Sequence, residues 1–309
     1  MSRLHAAVED YLTLRRGLGF TVKGTRPLLA DFVAFLDRTG AEVVSTDLAV
    51  AWATAPAGVD PIWWRQRLGT VREFARYLAT IDPRTEIPSA DLLPARYNRL
   101  TPYLYSEADI AALMAAGQVL SPPLRAATYT TLVGLLTVTG LRLGEAIALD
   151  CGDLKTDTST LIVRHGKNGR SREIPLHYTS LHALLAYRRN VDRAIPRPAS
   201  PALLVSIRGT RLCSSAVHPT FRAMVQRAGL QPRGARCRPR LHDARHSFAV
   251  RALIGWYDDD DADVDAKLPL LSAFLGHANP ASTYWYLQAA PELFSRVAGR
   301  LEHLLGQPT

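Results

Sequence analysis

Near the C-terminus, the string Leu241-His-Asp-Ala-Arg-His-Ser-Phe sets His242 and Arg245 three residues apart, so on a helix they share a face. An imidazole moves protons near neutral pH, whereas a guanidinium only stabilises negative charge that develops on another group. Further on, Leu275-Gly-His277 is followed nine residues later by Tyr286. Its phenol becomes a nucleophile once a base takes the proton and cations steady the phenolate. Two more cations stand upstream, Arg142 in Thr139-Gly-Leu-Arg-Leu-Gly-Glu and Lys167 in Gly166-Lys-Asn-Gly. Together these residue types suit chemistry at a phosphodiester, and none of them requires a metal or a nucleotide. Each string alone also fits a plainer reading: an Arg–Glu or His–Arg pair on a helix surface, a solvated turn lysine, an aromatic cluster in a core.

The elements that would position these side chains follow from apolar period and from turn residues. Residues 124–138 read as a helix stopped by Gly140, which puts Arg142 at the start of the next helix. Free N–H groups and the helix dipole favour an anion there, and Glu145 faces Arg142 from three positions on. Ser106 with Asp109 opens an earlier helix as a capping box, with Asp in place of the usual Glu. Leu161-Ile-Val-Arg and Arg172-Glu-Ile-Pro-Leu, separated by a polar stretch with Gly166 and Gly169, read as a β-hairpin with Lys167 at its tip. Helices are expected near 178–192, 214–228, 242–254, 268–275 and 280–287. The acidic stretch from Asp258 to Asp265 lacks the spacing and terminal Glu of a calcium loop and reads as a solvated loop before the 268–275 helix.

The first ninety residues carry apolar positions three and four apart: Val8, Tyr11 and Leu12, then Leu29, Phe32 and Leu36, then Trp64, Leu68, Val71, Phe74 and Leu78. A small helical bundle is expected. Its last helix also carries Arg65, Arg67, Arg72 and Arg76, which could lie along a phosphate backbone, although taken alone they read first as a solvated helix face. Three prolines and no period mark the following segment as a linker. The expected division is a helical domain over 1–88, a linker over 89–103, a second domain over 104–290 and a C-terminal helix over 291–309.

Composition bounds the function. With 309 residues, 47% hydrophobic content and no apolar run of the ~20 residues a bilayer span requires, the chain is expected to be soluble, non-membrane and cytoplasmic. Cys151, Cys213 and Cys237 are scattered and odd in number, so neither a disulfide framework nor a paired metal site is expected. The net charge of +9 suits a polyanionic partner. Residues 1–100 hold thirteen Lys and Arg against eleven Asp and Glu, so most of the excess lies in the second domain.

The strings around Arg142 and Glu145, Gly166-Lys167, His242-x-x-Arg245, Leu275-Gly-His277 and Tyr286 resemble, in order and spacing, those of the tyrosine recombinases or phage integrase family, of the mobile-element or Xer-like type. The resemblance runs from about residue 105 to 290. It implies a mainly α fold with a small antiparallel β-sheet (α+β), in which a helical core-binding domain precedes a catalytic domain. It further implies that Arg142 and Arg245 clamp the scissile phosphate, Lys167 protonates the leaving 5′ oxygen and His242 handles the proton of the nucleophile. His277 would bond a non-bridging oxygen, Tyr286 would attack phosphorus, and Glu145 would support. No metal, ATP or other cofactor is implied. The family's interval from histidine to tyrosine selects Tyr286 over Tyr284, whose phenol would point roughly 200 degrees away on a helix. Double-stranded DNA bearing specific sites is the implied partner, with a homotetramer linked through the C-terminal helix and accessory proteins as further partners. Two alternatives stay open: a type IB topoisomerase-like enzyme, and a DNA-binding protein with decayed catalysis.

Overall fold

The computed structural model describes residues 3–93, 100–164, 171–259, 262–277 and 279. The chain forms two compact units that divide after Arg99. No helix among the described residues is long and apolar enough to cross a membrane.

The first unit contains α1 (Arg3–Gly17), α2 (Thr25–Thr39), α3 (Thr46–Thr54) and α4 (Pro61–Ala79). Ser45 caps α3 by accepting from Leu48 N–H, and Asp60 caps α4 with Pro61 in the first turn, where its missing N–H costs nothing. The apolar stripes meet in a core of Leu12, Leu29, Phe32, Leu36, Val71 and Phe74. Each of these side chains contributes about 1.5–3 kcal/mol by leaving water.

Arg67 departs from the expectation that it lines a phosphate backbone with Arg65, Arg72 and Arg76. It is 8% exposed, its guanidinium lies 3.7 Å over the Trp52 ring, and Nη2 donates to the Trp52 carbonyl at 2.9 Å. The Trp52 indole N–H in turn donates to Asp31 at 3.0 Å, and Asp31 also faces Arg67 at 3.4 Å. Arg67 therefore ties α4 to α2 and α3, while Arg76 is exposed and Arg65 and Arg72 are half-buried. Arg67→Met is expected to lower the stability of this unit by about 1–3 kcal/mol through the lost charged hydrogen bond and cation–π contact. Chemical denaturation of the variant measures this, and native stability would show that the cluster carries no weight.

The second unit is built around α6 (Pro123–Thr139), which packs against α5 (Glu107–Gln118), α8 (Tyr178–Ala194) and α10 (Asp243–Tyr257). Buried Tyr129, Leu132, Val133, Leu135 and Leu136 belong to one core, and the hydroxyls of Thr137 and Thr139 return to carbonyls one turn back, so polar side chains are satisfied inside an apolar helix. The Ser106–Asp109 capping box opens α5, and Gly140 ends α6 in the left-handed conformation at φ +60. The short α7 (Leu143–Ala148) follows.

Three antiparallel strands come next, β1 (Leu154–Lys155), β2 (Thr160–Val163) and β3 (Arg172–Pro175), in the order β1-β2-β3. Leu161 pairs with Ile174 and Val163 with Arg172. Strand β1 is an addition to the hairpin read from sequence. Beyond the sheet lie α8, α9 (Ser214–Arg227), α10 and α11 (Val264–Leu275). Helix α11 begins four residues before the expected 268, because Asp263 caps it by accepting from Ala266 N–H and the helix runs through Pro269 on its exposed face. The acidic connection is correspondingly shorter than the sequence suggested. The expected 280–287 and 291–309 helices lie outside the described residues.

Candidate active site

Two helices aim their C-termini at the site, α6 ending at Gly140 and α11 ending at Gly276, both left-handed. A Cβ on Gly140 would meet Phe248 Cδ1 at 2.7 Å and Leu275 Cδ2 at 2.9 Å, so the close approach of these ends excludes any side chain there. Between them lies Arg245, 2% exposed, on the first turns of α10. Its Nη1 donates to the Gly140 carbonyl at 2.9 Å and Nη2 to the Leu275 carbonyl at 2.6 Å. A buried guanidinium is costly in an apolar core, but here two helix ends present their partial negative charge to it.

Arg142 stands at the N-cap of α7 and is held by Glu145. Arg142 Nη1 donates to Glu145 Oε1 at 2.8 Å, and the Arg142 backbone N–H donates to Oε2 at 3.0 Å. Its Nη2 also reaches the Gly276 carbonyl at 3.3 Å. Glu145 thus holds Arg142 through both its backbone N–H and its guanidinium. Sequence reasoning treated Arg172 only as part of a strand. In the structure its Nη1 and Nη2 grip the same carboxylate at 3.1 and 2.9 Å, and its Nε donates to the Phe274 carbonyl at 2.8 Å. Burial alone would push the Glu145 carboxyl up, but the Arg172 bonds, the Arg142 N–H and both guanidinium charges outweigh it and hold the pKa at about 2.

His242 stands at the N-cap position of α10, with its ring 4.8 Å from the His246 ring, and His277 follows Gly276 with its N–H on the Ser272 carbonyl. Burial first, then the positive field of Arg245 and Arg142, lowers His242 and His277 to about 4 each. Burial, then His242, Arg240 and Arg245, lowers His246 to about 3. All three imidazoles are thus neutral at physiological pH, able to accept a proton or a hydrogen bond. The unfolded chain, with histidines at the ordinary 6.5, takes up these protons first as pH falls. Stability of the second unit should therefore decline from about pH 6.5 down through about 4 and gain nothing from these groups above 6.5. Although the His242 ring is crowded by Arg245 and Arg142, the residue as a whole keeps contact with solvent, so water screens part of its shift and its contribution to this slope is discounted. Thermal midpoints across that window test this; a flat profile between pH 6.5 and 4 would refute it.

Beside His242 opens a cleft of about 750 Å³ lined by Arg222, Arg236, Arg238, Arg240 and His218. Arg240 is anchored by three bonds to fully buried Asp243, and Arg222, Arg236 and Arg238 are exposed. Among the described residues no cluster of three or more His, Cys, Asp or Glu could hold a metal ion. The structure thus brings Arg142, Glu145, Arg245, His242 and His277 together. Lys167, Tyr284 and Tyr286 lie outside the described residues.

Residues 105–292 match the phage integrase family. The chain belongs to that family. Among the curated relatives of this tyrosine recombinase is the putative integrase/recombinase y4rB of Sinorhizobium fredii, 43% identical with 98% of each chain covered. Of solved structures, the Tn1549 transposon integrase in complex with transposon right end DNA superposes with a TM-score of 0.66 at 18% identity, covering 97% of this chain and 99% of that one. The lambda integrase tetramer bound to a Holliday junction gives 0.59 at 18%, covering 92% and 76%. At such identities these structures speak to the fold, which is mainly helical with a small antiparallel sheet. For a tyrosine recombinase, the basic cleft is the feature the sequence reading passed over. Its signal was the run of arginines from Arg233 to Arg240 immediately before the His242 string.

Proposed function

We propose that this tyrosine recombinase cleaves and rejoins DNA at specific sites through a 3′-phosphotyrosyl intermediate and a Holliday junction. The observation that carries the reading is the convergence of Arg142, Arg245, neutral His242 and neutral His277 at the facing ends of α6 and α11. The two guanidiniums grip the non-bridging oxygens of the scissile phosphate, and His277 bonds one of them. Tyr286 attacks phosphorus while His242 takes its proton. The bond from phosphorus to the 5′ oxygen breaks, and Lys167 supplies the proton that leaves with that oxygen. The free 5′-hydroxyl of another strand reverses these steps, so the bond energy stored in the phosphotyrosine serves ligation without ATP.

The cleft rimmed by Arg222, Arg236 and Arg238 supports double-stranded DNA as the partner, because backbone phosphates reward clustered cations and affinity then falls with salt. Arg65, Arg72 and Arg76 are the remaining phosphate candidates of the first unit. Four copies acting on two duplexes, linked through residues 291–309, fit the apolar stripe of that segment, Leu293, Phe294, Val297, Leu301, Leu304 and Leu305. Deleting 291–309 should then abolish recombination while sparing cleavage, and unchanged recombination would remove the tail from the assembly.

The deciding experiment is covalent trapping on nicked suicide duplexes selected by binding from a randomised pool, with EDTA present. The expected result is an adduct formed by the native protein and Tyr284→Phe and lost in Tyr286→Phe. Loss in Tyr284→Phe alone would transfer the nucleophile to Tyr284. Specific binding with no adduct from any form would refute catalysis.

A further inference from the structure

Arg172 touches three parts of the second unit at once. From β3 its fork closes on both oxygens of Glu145, which itself carries Arg142. Its Nε–H holds the Phe274 carbonyl in the last turn of α11. Its guanidinium lies directly beneath the turn that leads into His277: a Cβ on Gly276 would sit 2.9 Å from Nη1 and 3.1 Å from Cζ. Gly276 is at φ +65, so both the backbone and the packed guanidinium demand glycine there. The side chain is 13% exposed, and its Nε, Nη1 and Nη2 all donate to protein groups.

We propose that Arg172 is a positioning residue that locks β3, the Glu145–Arg142 pair and the Gly276–His277 turn into one unit, so that Arg142 and His277 meet the same phosphate. This rests on the recombinase reading for its chemical consequence, while the geometry it describes exists without DNA. The physical reason for an arginine is the fork. Only a planar group with separate Nε and Nη donors can hold a carboxylate with two bonds and a carbonyl with a third. A lysine restores the charge and the bulk of the stem but makes one contact where three are needed.

The test uses Arg172→Met and Arg172→Lys in the full chain. At saturating selected duplex, single-turnover adduct formation should fall by about 100-fold in Arg172→Met, as expected for displacement of reacting groups by about 1 Å. DNA affinity should stay within about threefold, since the phosphate contacts of the cleft remain. Arg172→Lys should recover part of the thermal midpoint lost in Arg172→Met but not the rate. A rate restored by lysine, or a loss confined to affinity, would reduce Arg172 to charge balance and overturn the proposal. In the absence of DNA, the His277 ring resonances should move in both variants, and unchanged resonances would overturn it whether or not the native protein cleaves. No adduct from the native protein, with displaced His277 resonances in both variants, would sink the recombinase reading and leave the positioning role standing.

Discussion

Arg245→Lys is expected to slow covalent adduct formation by about 10²–10³-fold, the loss seen when one preorganised donor to a developing oxyanion is removed. The arginine spans two carbonyls, Gly140 O and Leu275 O, that belong to different helices. A lysine has one ammonium on a flexible stem and cannot occupy both positions. One of the carbonyls then stays buried without its donor, at about 1–3 kcal/mol, and the ends of α6 and α11 lose their cross-tie. For a domain of this size, that corresponds to a fall of roughly 2–4 °C in midpoint per kcal/mol. Single-turnover cleavage and thermal denaturation of the same preparation separate the two effects. A variant that melts early yet cleaves at the native rate at low temperature would mean that Arg245 serves the fold alone.

The sequence carried the chemistry of this site better than its supports. His242, Arg245 and His277 are visible because residue type and spacing repeat along a helix and beside a left-handed glycine. Glu145 was visible because a carboxylate three residues after Arg142 faces it. Arg172 was overlooked, though the signal was present. Strand residues two apart share a face, so Arg172 lies on the same side of β3 as fully buried Ile174 and had to point inward. Arg67 was misplaced for a related reason. It sits within the Trp64, Leu68, Val71 and Phe74 stripe, three residues from Trp64 and four from Val71, and the stripe was read for its apolar side chains while the cation in its midst was counted with the surface. What sequence period cannot supply is the partner across space: the Trp52 ring under Arg67, or the Phe274 carbonyl facing Arg172, belongs to elements far along the chain. The early start of α11 was missed because the acidic stretch was read as a loop, whereas Asp263 within it caps the helix.

Glu145→Gln should destabilise the second unit strongly. One carboxylate, 8% exposed, stands between the guanidiniums of Arg142 and Arg172. Its removal leaves two like charges facing a neutral amide, and breaking a buried ion pair in this way costs about 3–5 kcal/mol. Partial exposure of Arg142 lets water relieve some of this, so the lower end, about 3 kcal/mol or roughly 6–12 °C, is expected. The pH dependence carries the signature of the charge. A carboxyl held at about 2 in the folded chain, against an ordinary 4.5, stabilises above 4.5 and loses that contribution as pH falls toward 2. The variant should lack that part of the acid slope while keeping the histidine part between 6.5 and 4. Removing Arg172 as well should restore some stability, because the second change takes away the repulsion that the first one created. Strictly additive losses in Glu145→Gln, Arg172→Met and the double variant would show that the three charges do not act as a unit. The same cycle read by cleavage rate tests the functional half: with Gln at 145, Arg142 keeps at most one of its two bonds to that side chain, and Arg172 retains only its hold on the Phe274 carbonyl and the Gly276 turn.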